Sequence, residues 1–369
     1  MKVAVVGAGP AGSFCAYHLS RAGFDVTLFD FHPEAWEKPC GGGVPPKVRE
    51  RFAEVAAYDG KRQEVAVGNF ISPRGVAVQL ISRRAMWIVA RREFDGYLRK
   101  LAIQAGARLC VERVRHVERR GSGFSLSGDK SYDFDFIVGA DGALSIVRRD
   151  LFQPIPRHYL CMAQGYFLGV QESEATSWFL QKPGYLWAFP RTDHLCLGGG
   201  TSDPELDMWA IVNELKGRRY PQAKVLRKWA APIPFIRDPS FYQLPTSIEG
   251  CALIGDAAGH VDALTGEGIL YALWGGALLA QALMDGRPQQ YETAWREAYG
   301  RELGKASEFS GRFYQPRMIE RVFSLANRSR TMRRLLMDLM TDQPSYLETG
   351  KMFTRRLPRI TVELIGSLF

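Results

Sequence analysis

The sequence predicts an α/β protein with an added antiparallel sheet and a helical C-terminal segment. Three observations predict it. The chain opens on an apolar strand, Val3-Ala4-Val5-Val6, followed by a glycine turn, a helix and a second strand. Two later stretches, 63–88 and 155–245, alternate apolar and polar residues, as in Val76-Ala77-Val78-Gln79-Leu80-Ile81, and read as antiparallel strands. Residues 301–369 look helical, with Pro316, Pro344 and Pro358 as breaks. The expected division assigns 1–62, 89–154 and 246–300 to a discontinuous nucleotide-binding domain. Segments 63–88 and 155–245 form a substrate-binding sheet domain, and 301–369 a basic helical segment.

At 369 residues the chain can build two or three subdomains and a large core. Apolar content of 46% is that of a soluble globular protein. Met1-Lys2 runs straight into a strand, so no signal peptide is expected. The six cysteines, at 15, 40, 110, 161, 196 and 251, show neither CxxC nor metal-ligand spacing. A reducing cytoplasm, no disulfide framework and no metal follow from that pattern. The uncharged stretch Gly268–Met284 is short for a membrane span and reads as a buried core helix. Net charge is +9, and residues 301–369 hold 13 Lys/Arg against 7 Asp/Glu. That excess fits a solvated helix face, an anionic membrane surface or a lipid headgroup. Nucleic acid is not expected, because no recognition fold accompanies the charge.

The first strand runs into Gly7-Ala8-Gly9-Pro10-Ala11-Gly12 and a helix to about Ala22, with Gly23 as its stop. A second strand, Val26–Phe29, ends at Asp30. This is the Rossmann-type β–GxGxxG–α–β unit with a following acid. Gly7 allows the tight turn, Gly9 lets the backbone reach a pyrophosphate, and Gly12 lets helix pack on strand. Asp30 would take the ribose hydroxyls. The motif does not separate NAD from FAD.

About ten residues on, Lys38-Pro39-Cys40-Gly41-Gly42-Gly43 is either a glycine turn with a bystander cysteine or a place where backbone passes close to a flat ring. Two further motifs each follow a strand: Gly139-Ala140-Asp141-Gly142-Ala143-Leu144-Ser145-Ile146-Val147-Arg148 and Gly255-Asp256-Ala257-Ala258-Gly259. Beyond them, Thr265-Gly266-Glu267-Gly268-Ile269 opens the long apolar helix, whose first turn is an anion site.

With these motifs the sequence resembles the FAD-dependent oxidoreductases built like para-hydroxybenzoate hydroxylase. The resemblance implies that Asp256, with Gly255, contacts the ribityl chain, and that Asp141-Gly142 supports flavin and pyridine nucleotide. Arg91, in Arg-x-x-Phe-Asp-x-x-Leu, should reach FAD. Val114, Ala11, Cys40, Gly41, Gly42, Gly43, Gly266, Gly268 and Ile269 are further expected cofactor contacts. Ala263 departs from the proline usual there.

In Pro183-Gly184-Tyr185-Leu186-Trp187-Ala188-Phe189-Pro190, period two puts Tyr185, Trp187 and Phe189 on one face. They either fill a core or wall a substrate tunnel. A turn, Arg191–His194, and a strand, Leu195–Gly199, complete a hairpin. Together with Pro-Cys-Gly-Gly-Gly and Gly-Asp-Ala-Ala-Gly, this strand is similar to that of the geranylgeranyl reductase family over about residues 1–300. The resemblance implies saturation of isoprenoid C=C bonds on a lipid-like substrate, with FAD fed by NAD(P)H or ferredoxin. It makes Cys40 the candidate for positioning or proton delivery, since a thiol S–H can donate a proton. Tyr185 and Trp187 are the next catalytic candidates, and Tyr185, Trp187 and Phe189 the substrate contacts. Flavin halogenases carry Trp and Ile where Tyr185 and Phe189 stand. The alternative is a flavin-dependent monooxygenase, or a halogenase-related enzyme, acting on an aromatic small molecule or a protein side chain. His260 is the nearest base for that reading. The expected location is cytoplasmic, or peripheral on the inner face of the membrane, and the basic segment would meet a membrane or an acidic redox partner.

Overall fold

The computed structural model describes residues 1–341 and 346–366. It divides into two units. The first comprises Met1–Lys38, Arg91–Leu160 and Pro232–Gly304, and the second Pro39–Ala90, Cys161–Ala231 and the chain from Lys305 on.

The first unit is built on a six-stranded sheet in the order Ser247–Ile248, Cys251–Leu253, Phe136–Gly139, Lys2–Val6, Asp25–Asp30, Arg108–Val111. Its five later strands run parallel, and Ser247–Ile248 closes one edge antiparallel. Val3, Ala4 and Val5 are fully buried, because a parallel sheet is covered on both faces and needs an unbroken apolar run. The helix Pro10–Arg21 returns over this sheet against the apolar helix Ile269–Met284. Gly276 makes that contact possible, since a methyl there would lie 2.8 Å from the Ala11 carbonyl oxygen. A small antiparallel sheet, His116–Arg120, Gly123–Ser127 and Ser131–Phe134, adds Val117, Phe124 and Leu126 to the same core.

The second unit carries an eight-stranded sheet in the order Val225–Pro234, Leu160–Leu168, Leu195–Thr201, Gly184–Pro190, Ala175–Phe179, Arg62–Ile71, Ala77–Val89, Gly43–Val44. One pair, Ala175–Phe179 with Arg62–Ile71, is parallel. No hairpin joins these distant segments, so nothing forces them antiparallel. Residues 155–245 also include a helix, Met208–Arg219, where the sequence suggests only strands. Asp207 caps it, accepting from the Ala210 amide at 3.1 Å. Its helical period is faint because only Met208 and Val212 are buried, against Leu186, Ala188, Leu195 and Leu197.

Two expected boundaries differ. Residues 39–62 fall in the second unit, because Gly43 and Val44 pair with Ile88 and Trp87. From Lys305 on, the C-terminal helices belong to that unit too. They are Arg301–Phe313, Pro316–Arg328, Arg330–Thr341 and Tyr346–Gly366. Phe313, Tyr314 and Phe323 surround Phe179, and Glu320 accepts from the Ser72 hydroxyl at 2.9 Å. Pro316 opens a helix as expected. Pro344 lies outside the described residues. Pro358 does not break its helix, which continues from Tyr346 to Gly366. The proline removes one main-chain bond, while buried Ile360 and the Glu363 carboxylate anchor the turns beyond it.

Candidate active site

The nucleotide end of the first unit is shaped by its glycines. Gly7 has φ +102°, and its amide donates to the Phe29 carbonyl at 2.8 Å. A methyl at Gly12 would overlap the Gly7 carbonyl, whereas one at Gly9 would meet nothing within 4 Å. The space above Gly9 therefore lies open at the start of the helix Pro10–Arg21, whose first turn has no side-chain cap and no acid. Such a turn attracts a phosphate. Ala11 lies in it.

Asp30 ends the second strand. Its carboxylate accepts from the Ala8 amide at 3.0 Å, the His32 amide at 2.8 Å and the Arg99 guanidinium at 3.1 Å. Arg99 had no role in the sequence reading. It lies two turns after Arg91 on the buried side of the helix Arg91–Gln104, a face that helical spacing would have revealed. Arg91 itself is buried and doubly bonded to Asp95, at 2.8 and 2.7 Å. Val114 is buried in the core between Arg108–Val111 and His116–Arg120.

Asp141 is held within its own motif. Its carboxylate accepts from the Ser145 hydroxyl at 2.5 Å and the Ile146 amide at 2.6 Å. It thus closes its own turn and opens the helix Ile146–Leu151, while burial pushes its pKa up. Gly142, at φ +85°, has nothing within 4 Å of a built methyl. Arg148, which ends this motif, reaches across to the Ala257 carbonyl at 3.0 Å. Burial lowers its pKa to about 10. One motif therefore supports the other.

In the second motif, Asp256 pairs with the Lys38 ammonium at 3.0 Å. Gly255, at φ +59°, packs against Ala11. Asp262 shapes the next loop by accepting from the Leu264 and Thr265 amides at 2.7 and 2.9 Å. Gly266 (φ +76°) and Gly268 then lead into Ile269, where the apolar helix begins without a side-chain cap or an acid in its first turn. The anion-accepting character read for this end is therefore available. His260, in contrast, is fully buried, its Nδ1 3.1 Å from the Tyr299 hydroxyl. Burial lowers its pKa to about 3, so it is a neutral core residue and not an accessible base.

In the second unit the Cys40 turn meets the aromatic strand. Cys40 is a free, half-buried thiol whose Sγ accepts from the Gly42 amide at 3.3 Å. Gly42 holds φ +81°, and its carbonyl accepts from the Val89 amide. Gly41 lies against Phe189, where a methyl would come 2.5 Å from the ring Cδ2. A methyl at Gly43 would be 3.2 Å from the Met86 sulfur. Register pairs Tyr185, Trp187 and Phe189 with Gly200, Gly198 and Cys196, all on one face of the sheet. The other face is the core beneath the helix Met208–Arg219. Tyr185 and Trp187 are 5.5 Å apart, and Trp187 stacks on Trp229 at 6.0 Å. Trp187 is buried, whereas Tyr185 and Phe189 are half-exposed. The indole N–H groups of Trp187 and Trp229 are buried with no hydrogen-bond partner.

The open space at Gly9, the uncapped helix starts and the carboxylates of Asp30 and Asp256 fit an extended dinucleotide such as FAD. A Rossmann sheet with these motifs, joined to a large antiparallel sheet, defines a flavoenzyme of the para-hydroxybenzoate hydroxylase-like fold. Residues 1–194 match the family model described as FAD binding domain. The geranylgeranyl diphosphate reductase of Rhodobacter capsulatus is 30% identical over 81% of this chain and 80% of its own length. The digeranylgeranylglycerophospholipid reductase of Methanothrix thermoacetophila is 27% identical, over 82% and 85%. Among solved structures, a geranylgeranyl bacteriochlorophyll reductase-like protein of Thermoplasma acidophilum aligns with TM-score 0.74 and 19% identity over 99% of this chain and 98% of that one. The chain belongs to the geranylgeranyl reductase family of FAD-dependent oxidoreductases. Among the described residues no helix is long and apolar enough to cross a membrane.

Proposed function

We propose that this enzyme saturates C=C bonds of an isoprenoid or isoprenoid lipid. The observation that carries the reading is the Cys40 turn seated on an aromatic strand face: a thiol beside a wall of rings. An isolated alkene has no carbonyl to polarise. Its reduction needs hydride at one carbon and a proton at the other, each positioned within about 3–3.5 Å. Bound FAD, once reduced, supplies the hydride. Gly7, Gly9, Ala11, Gly12 and Asp30 would hold its nucleotide end, and Gly255, Asp256, Gly266, Gly268 and Ile269 its flavin end. Tyr185 and Phe189 present apolar surface to the prenyl chain and exclude water, and Trp187 backs them. Cys40 donates the proton from Sγ. Asp141 contributes by fixing its turn, leaving Gly142 as the open backbone.

The electron donor would be NAD(P)H or an acidic ferredoxin, the latter attracted by the +9 net charge. The last helix also suits an anionic lipid surface. Leu357, Val362 and Ile365 are exposed beside the exposed Arg355 and Arg359. Flotation with anionic vesicles at low and high salt tests that contact, and absence of binding at both removes it.

The test of function is product analysis. Chemically reduced, FAD-loaded protein is incubated with geranylgeranyl diphosphate or a geranylgeranylated glycerophospholipid, and the products are weighed by mass spectrometry. Gain of two hydrogens per double bond is expected, abolished in Cys40→Ala. Unchanged substrate in every case, or wild-type turnover by both Cys40→Ala and Cys40→Ser, contradicts the respective assignment.

A further inference from the structure

Arg191 follows the aromatic strand, where the sequence shows only a turn residue. In the structure it is 2% exposed. Its NH2 donates to the Cys40 carbonyl at 2.9 Å, and its guanidinium carbon stands 4.9 Å from the centre of the Phe167 ring. From the next strand, the Cys196 thiol donates to the same carbonyl at 3.3 Å. Both donors therefore come from one hairpin and converge on one oxygen.

We propose that Arg191 is the positioning residue for Cys40. Within the turn, the Gly42 amide reaches Cys40 Sγ at 3.3 Å, a weak restraint on the thiol because sulfur is a weak acceptor. Gly41 follows the Cys40 carbonyl, and without a Cβ it places few steric limits on that peptide plane. A charged donor in a buried site makes the stronger bond to a carbonyl, whereas a thiol is a weak donor. Fixing the carbonyl fixes the Cys40 backbone, and with it the direction in which Cα–Cβ sends the sulfur. Arg191 does not touch the reacting bond. Its place just beyond Phe189 lets one hairpin set the aromatic face and the thiol together. This role rests on the reading of Cys40 as proton donor.

The test uses FAD-loaded protein carrying Arg191→Met, which keeps the aliphatic stem without a donor, or Arg191→Lys, which keeps a charged donor group. Cys40 and Cys110 are the two cysteines that are not buried, so Cys110 serves as an internal reference for alkylation. In Arg191→Met the ratio of Cys40 to Cys110 labelling by iodoacetamide should change by about threefold or more, since access governs thiol reactivity. The kcat should fall by about tenfold with KM nearly unchanged, the signature of misplacement and not of lost binding. Arg191→Lys should recover most of both. An unchanged labelling ratio in Arg191→Met, or equal losses in the Met and Lys variants, overturns the proposal. If Arg191→Met does not retain FAD, Arg191→Gln, whose shorter neutral amide cannot replace the charged donor, is read by the same ratio; no change there overturns it too. Wild-type turnover by Cys40→Ala would sink the proton-donor reading alone, and the labelling ratio would still decide the clamp.

Discussion

Gly41→Ala is the sharpest perturbation of the proposed reaction site. A methyl at position 41 would lie 2.5 Å from Cδ2 and 2.7 Å from Cε2 of Phe189. Carbon atoms sit comfortably about 3.5–4.0 Å apart, so turn and ring must separate by about 1 Å. Overpacking of this kind costs about 1–3 kcal/mol. Phe189 is half-exposed, so part of the strain can be relieved by moving the ring and the fold should survive. The reaction is less tolerant, since a misplacement of about 1 Å can cost about a hundredfold in rate. The expected result is a kcat lower by about ten- to a hundredfold, with FAD still bound. Steady-state kinetics on the prenyl substrate and flavin fluorescence measure the two. The double variant Gly41→Ala/Phe189→Ala removes the obstructing ring and should recover part of the loss in kcat. Wild-type kcat for Gly41→Ala, with Phe189 in place, would refute the reasoning.

The remaining predictions concern the cofactor and stability. Gly9→Ala should fold normally yet bind FAD about tenfold or more weakly, because its methyl enters the open space at the helix start; Gly12→Ala should fail to fold or to bind, since its methyl overlaps the Gly7 carbonyl. Titration of apoprotein with FAD, beside thermal melts, separates the two. Glu363 accepts from the Ser329 and Thr331 hydroxyls and the Thr331 amide, which hold its pKa down at about 2. A lowered carboxylate stabilises above its unfolded value of about 4.3 and loses that contribution as pH falls toward 2. Hydrogen exchange of the helix Tyr346–Gly366 should accordingly rise over that window, after correction for intrinsic rates, and the rise should vanish in Glu363→Gln. His260, with its pKa lowered to about 3 by burial, stabilises the fold above about pH 6.5 and progressively less down to pH 3. Denaturant melts should show this slope, and His260→Leu should flatten it.

Much of the first unit was legible because its chemistry is carried by short local motifs. GxGxxG needs a strand before it and a helix after it, and residues 1–30 carry both signals within one window. The uses of single side chains were less legible. That the Asp141 carboxylate is held by Ser145 and the Ile146 amide, four and five residues on, is one such use. Arg99 and Arg191 act on residues distant in sequence, Asp30 and Cys40, and no local pattern marks such pairs. The placement of residues 39–62 depended on a two-residue strand, too short to have a period of its own. Pro358 looked like a stop because its ring costs a main-chain bond, but anchors at Ile360 and Glu363 lie beyond it. The fold supports more than one flavin chemistry, so the substrate assignment rests on the site and the family.

The central claim is that reduced flavin is consumed by an alkene and not by oxygen. It is tested most directly by photoreducing the FAD-loaded protein under nitrogen, adding geranylgeranyl diphosphate and following flavin absorbance. Reappearance of oxidised flavin that requires substrate, proceeds without oxygen and yields a saturated product is the predicted result. Flavin that stays reduced until air is admitted, with product carrying ¹⁸O from labelled oxygen, would contradict it.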